Sequence, residues 1–81
     1  MIEVSNMESK LFNQTMKLAK EGNALAQYDL AIMYFEGIEV EEDIYECLTW
    51  MTLSYDNGYP LAKDWLEDFY FNDSSRTQGH S

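Results

Sequence analysis

The densest group of residues able to bind a partner is a run of carboxylates between residues 36 and 46. A calcium site from Glu39, Glu41 and Asp43 is one conceivable use, but the EF-hand spacing is missing. The run is otherwise a solvated surface, with Asp43 capping a helix, or a docking surface for a partner rich in lysine and arginine. On the second interpretation, six partner-binding residues are predicted: Glu36, Glu39, Glu41, Glu42, Asp43 and Glu46.

The sequence lacks the residue combinations that a catalytic site needs. The single histidine, His80, lies at the end of the chain, where no Ser-His-Asp or Cys-His pair is held in place. Cys47 falls on a predicted apolar helix face with no base nearby, which favours a small core residue. The four glycines are scattered, so no phosphate-binding loop is present. The sequence therefore predicts a protein that is not an enzyme, with no cofactor and no metal.

The net charge of the chain indicates which classes of partner it can bind. The 81 residues carry 15 acidic side chains against 5 lysines and arginines, a net charge of −10, and 46% of them are hydrophobic. A single folded domain with its own core is expected. The charge argues against direct binding to nucleic acid or to an anionic membrane, and it permits a partner with a basic surface. One cysteine and no long apolar run predict a soluble protein of a reducing compartment, the cytoplasm.

Glycine and proline divide the chain into four predicted helices, and the fold class is all-α. The first starts at a capping box of Ser5 and Glu8. The second runs from Ala24 to about Glu36, and the third starts at Asp43, with Glu46 completing a second capping box. The fourth runs from Pro60 to about Phe71. The predicted apolar faces are Met7, Leu11, Phe12, Thr15, Leu18 and Ala19; Ala26, Leu30, Met33 and Tyr34; and Ile44, Cys47, Leu48, Met51 and Tyr55.

The chain repeats itself with a period of 36 residues. The shift aligns Gly22 with Gly58 and Ala26 with Ala62, and also the pairs Leu25 and Leu61, Leu30 and Leu66, Tyr34 and Tyr70, and Phe35 and Phe71. A glycine that ends one helix, a small residue and then a large apolar one suit a helix-turn-helix repeat. We predict one domain over residues 1–72 with about two repeats, and a disordered tail over 73–81.

The stretch Gly22–Gly37 closely resembles the first helix of a Sel1-like repeat, a relative of the tetratricopeptide repeat. The resemblance extends over Lys17–Phe71 and includes the signature positions Val40, Asp43, Trp50, Gly58 and Ala62. The chain departs from the pattern at Cys47, at Ala31 and at Ser54-Tyr55. The resemblance implies a short α-solenoid that binds other proteins, with no catalytic residue to carry over.

The aromatic residues fall into two groups. Trp50, Tyr34 and Tyr55 match core positions of the repeat, whereas Tyr59, Trp65 and Phe71 are hard to bury in so small a core and are predicted to bind a partner. Two functions remain open. One is an adaptor or scaffold that holds another protein or a second copy of this chain. The other is an acidic inhibitor that mimics nucleic acid to block a basic nucleic-acid-binding protein, the form taken by phage-encoded anti-defence proteins such as anti-CRISPRs.

Overall fold

The computed structural model describes the backbone of residues 2–79 and the side chains of residues 10–71. The elements in this part of the chain are four α-helices: α1 (Ile2–Lys20), α2 (Ala24–Glu36), α3 (Ile44–Asp56) and α4 (Pro60–Gly79). The predicted all-α class is confirmed. Helix α1 begins before Ser5 and α4 continues past Phe71. The side chains of the proposed Ser5–Glu8 box, and those of the proposed tail, lie outside the described residues.

Local capping explains where α2 and α3 begin and end. The Asn23 side chain accepts a hydrogen bond from the Ala26 N–H (2.9 Å), and Gly37 closes α2 in the left-handed conformation at φ 71°. Asp43 Oδ1 accepts from the N–H groups of Tyr45 and Glu46 and so caps α3. In the expected capping box the Glu46 side chain would accept a hydrogen bond from the Asp43 N–H. That N–H donates instead to the Tyr34 carbonyl at 2.9 Å. That bond ties the start of α3 to the end of α2.

Each helix packs on its neighbour in sequence, and the α2–α3 pair is the most extensive. One buried cluster joins α2, α3 and α4, and a second joins α1 and α2. Trp50 and Tyr34 pack against both clusters, which confirms their core assignment. Ala26 lies in the α1–α2 cluster and its repeat equivalent Ala62 in the α2–α3–α4 cluster, as expected for stacked repeats. The clusters are Ala31, Cys47, Met51 and Ala62, and Ala19, Ala26 and Leu30.

Among the side chains that the structure describes, which do not include Met7, three predicted core positions are wrong. Leu11 and Leu18 are about half exposed and Tyr55 is 46% exposed. Among the described contacts α1 packs substantially against α2 alone, so that only the narrow stripe around Thr15 and Ala19 is covered. Within the described part of the chain, no helix is long and apolar enough to cross a membrane.

Buried polar side chains hold the helices in register. Ser54 is fully buried on α3 and its hydroxyl donates to the Ala24 carbonyl at 2.7 Å. Gln27 on α2 is 3% exposed; its Nε2 donates to the Ala19 carbonyl, and its Oε1 accepts from Asn57 Nδ2, both at 2.9 Å. One amide therefore connects the end of α1 to the end of α3.

Candidate functional site

A groove of about 570 Å³ runs along α2. Most of its lining residues lie on α2, which we call the floor; Leu11 and Thr15 of α1 line one side and Trp65 of α4 another, and we call these sides its walls. The lining is mainly apolar, which is typical of binding clefts. Its residues are Leu11, Thr15, Tyr28, Asp29, Ile32, Met33, Glu36, Ile38 and Trp65.

Aromatic contacts between α2 and the α4 region shape this wall. The Tyr28 and Tyr59 rings are tilted with centroids 5.1 Å apart, and Phe35 meets Trp65 edge-to-face at 5.2 Å. Trp65 in turn stacks on Phe69 at 5.3 Å with the ring planes nearly parallel. Offset and edge-to-face pairs of this kind stabilise packing beyond the area they bury. The indole of Trp65 is therefore held in place on the wall of the groove.

The three predicted interface aromatics are not equivalent. Trp65 is half-buried and lines the groove, and Tyr59 is half-buried against Tyr28. Phe71 is 66% exposed on α4 and lies outside the lining set. Their role in binding a partner stays a prediction, but the structure places only Trp65 directly in the groove.

The electrostatic character of the groove is set by two carboxylates, Asp29 and Glu36. Among the lining residues that the structure describes, none is a lysine, an arginine or a histidine. Burial raises the pKa of Asp29, because the surrounding protein removes water from its charged form. The pKa of Tyr28 is raised by burial first and then by the nearby Tyr59 and Asp29. A negatively charged, partly dehydrated apolar groove favours positively charged ligands.

The six acidic residues predicted to bind a partner separate in the fold. Glu36 lines the groove, while Glu41, Glu42 and Glu46 are exposed elsewhere. Glu39 has a positive φ of 61° and its Oε1 accepts a hydrogen bond from the Phe12 N–H at 3.1 Å. Asp43 caps α3, as given above. Two of the six therefore have structural contacts, and the binding role of the set remains a prediction.

Two further hypotheses from the sequence concern a metal site that includes Asp43 and the reactivity of the Cys47 thiol. Among the described residues, no group of three or more histidine, cysteine, aspartate or glutamate side chains could hold a metal ion. The Cys47 thiol is fully buried, and burial raises its pKa to about 11. It is neutral at physiological pH and inaccessible, which confirms the interpretation of Cys47 as a core residue.

Sequence reasoning missed Asp29 and Ile32, and it assigned Met33 only to the core. The signal was present, because Asp29, Met33 and Glu36 recur at helical spacing and so share one face of α2. A carboxylate that precedes two apolar residues by three and four positions could have marked a mixed, ligand-facing stripe. The sequence pattern does not show that α1 and α4 leave this stripe of α2 uncovered.

Comparison with known proteins gives a partial relative. A protein of Acanthamoeba polyphaga mimivirus, named a putative sel1-like repeat-containing protein (L18), is 41% identical to this chain over 51 residues. The match covers 59% of this chain and 9% of the mimivirus protein. No family model and no solved structure matches the chain. Over the matched part of this chain, the name of the relative agrees with the resemblance to Sel1-like repeats.

Proposed function

We propose that this chain is a non-catalytic protein-interaction module of the Sel1-like repeat type, an adaptor or scaffold whose groove on α2 receives a segment of a partner protein. The observation that carries the proposal is the groove itself, with its apolar floor, fixed indole wall and two carboxylates. The partial relative supports the repeat type, since it is named for sel1-like repeats. Within residues 10–71, the part of the chain with described side chains, no histidine, cysteine or lysine lines the groove, which favours binding over catalysis.

The test compares two leucines of the same helix. Leu11 lines the groove and is 54% exposed, whereas Leu18 is comparably exposed but lies outside the lining set. Leu11→Arg places a long side chain in the groove, and Leu18→Arg adds the same charge elsewhere on α1. The immobilised variants are used to capture proteins from a lysate of the source, with elution in steps of increasing salt and identification by mass spectrometry. We expect Leu11→Arg to lose the partner and Leu18→Arg to retain it. Retention by both would refute the groove as the binding site.

A second candidate function is the acidic inhibitor of a basic nucleic-acid-binding protein. It is favoured by the net charge of −10 and by the exposed positions of Glu41, Glu42 and Glu46. Binding of this kind depends on exposed charge and weakens as salt rises. Replacing these three residues by glutamine would release such a partner, while Leu11→Arg would leave it bound. The opposite pattern identifies the groove.

A further inference from the structure

We propose that the segment held in the groove presents a lysine or arginine side chain, whose stem lies on the apolar floor and whose cationic head pairs with Asp29. This inference rests on the proposed function and specifies the chemistry of the partner. The partner is a protein segment that is basic at this position and apolar on either side of it.

The composition of the lining carries the first step. Among the residues that the structure describes, nine line the groove, and the charged ones are two carboxylates with no cation beside them to neutralise them. A segment without a positive charge would cover Asp29 and remove its remaining water without giving it a partner, which opposes binding. A segment with a cation replaces that water by an ion pair. The groove therefore discriminates in favour of basic segments and against acidic ones.

The shape and surfaces of the groove suit an amphipathic cation. Lysine and arginine have apolar stems that lie along hydrophobic surfaces while the charged head reaches a polar group. Ile32 and Met33 lie one helical turn from Asp29 on the same floor and offer that surface. Tyr28 and Trp65 also line the groove, and aromatic side chains attract cations.

The state of Asp29 in the free protein supports the same conclusion. Asp29 is an exposed residue overall, yet neighbouring groups bury its carboxyl in part, and this burial raises its pKa. The charged form is thus partly dehydrated before any ligand binds. A carboxylate of this kind weakens the folded state at neutral pH and gains most from an incoming cation. Asp29→Asn should therefore leave the protein at least as stable as the wild type at pH 7 while weakening binding, a combination that a merely structural residue would not show.

The experiment starts from a random dodecapeptide library displayed on phage and selected against the complete chain. Synthetic copies of the selected peptides are then titrated into isotopically labelled protein, with the Trp65 indole N–H signal and the backbone signals of Asp29 and Ile32 as reporters of the groove. We expect the peptides to share a lysine or arginine beside apolar residues. We expect Asp29→Asn to lower their affinity about tenfold, the loss of one charged hydrogen bond, and Glu36→Gln to lower it less.

Matched controls isolate the ion pair. Asp56→Asn makes the same change on an exposed residue of α3 outside the lining, and it should leave affinity within twofold of the wild type. Replacing the peptide lysine by norleucine keeps the stem and removes the charge. This norleucine peptide should bind the wild-type protein about tenfold more weakly than the lysine peptide does, and Asp29→Asn should not weaken its binding further.

The outcomes separate the two proposals. Peptides that bind in the groove without a shared cation, or that bind Asp29→Asn as tightly as the wild type, overturn the basic-segment inference and leave the groove as an interaction site. A selection in which no peptide moves the reporter signals overturns both.

Discussion

Replacing Gln27 by alanine is expected to lower the free energy of unfolding by about 2–3 kcal/mol. The side chain is 3% exposed and makes two hydrogen bonds of 2.9 Å, one to the Ala19 carbonyl and one from the Asn57 amide. Each bond contributes about 1 kcal/mol net. The rest of the loss comes from the cavity left by the stem. The Ala19 carbonyl keeps a second bond from the Gly22 N–H (3.1 Å), so it does not become an unsatisfied buried group and the loss stays moderate.

A second substitution divides this loss into its parts. Gln27→Met retains the volume of the stem and removes both hydrogen bonds, so we expect a loss of about 1–2 kcal/mol. Gln14→Ala is the control, since Gln14 is exposed on α1, and its effect should stay within about 0.5 kcal/mol.

Urea unfolding followed by far-ultraviolet circular dichroism measures all three variants, and equal m-values would establish that they unfold from comparable states. If Gln27→Met matched the wild type, the hydrogen bonds would contribute nothing to stability. If Gln27→Ala also matched it, the whole argument for Gln27 as the connection between the ends of α1 and α3 would be refuted.

Three further predictions follow from single features of the fold. Gly37→Ala should cost about 1 kcal/mol in urea unfolding, because φ is 71° and the nearest atoms leave room for a Cβ, so that only backbone strain remains; no loss would contradict this. Ser54→Ala should cost about 1 kcal/mol whereas Thr49→Ala, which removes an exposed hydroxyl bond to a carbonyl, should cost almost nothing; equal losses would contradict the role of burial. Burial raises the pKa of the Cys47 thiol in the folded protein to about 11, above the ordinary 9.0. The contribution of the neutral thiol to the free energy of unfolding is therefore complete below pH 9 and is lost as the pH rises to 11. Cys47→Ala should lose less stability than the wild type over that range.

The sequence predicts the helices well where their ends depend on neighbouring residues. Asn23 and Gly37 bound α2 as expected, and Asp43 caps α3, because each cap bonds to backbone groups within a few residues of itself. The period of 36 residues is likewise visible without coordinates, and the paired positions Ala26 and Ala62 are both buried. These features follow from local sequence alone.

The candidate site was only partly predictable. Charge and aromatic character predict Glu36 and Trp65 as binding residues, and both line the groove. Asp29 was missed because one carboxylate in a helix is ordinarily a solvated residue. Charge also predicts a binding role for Glu39, but the hydrogen bond that it accepts from the Phe12 N–H spans 27 residues and does not follow from composition.

The sequence by itself determined an acidic, all-helical chain with a repeated unit and the boundaries of its inner helices. Only the tertiary structure decided which side of α2 stays open, that Leu11 borders a groove instead of a core, and that Gln27 connects partners 8 and 30 residues away. The physical reason is that caps and periodicity act over one or two helical turns. This groove exists because two separate helices, α1 and α4, pack against others and leave part of the α2 surface uncovered.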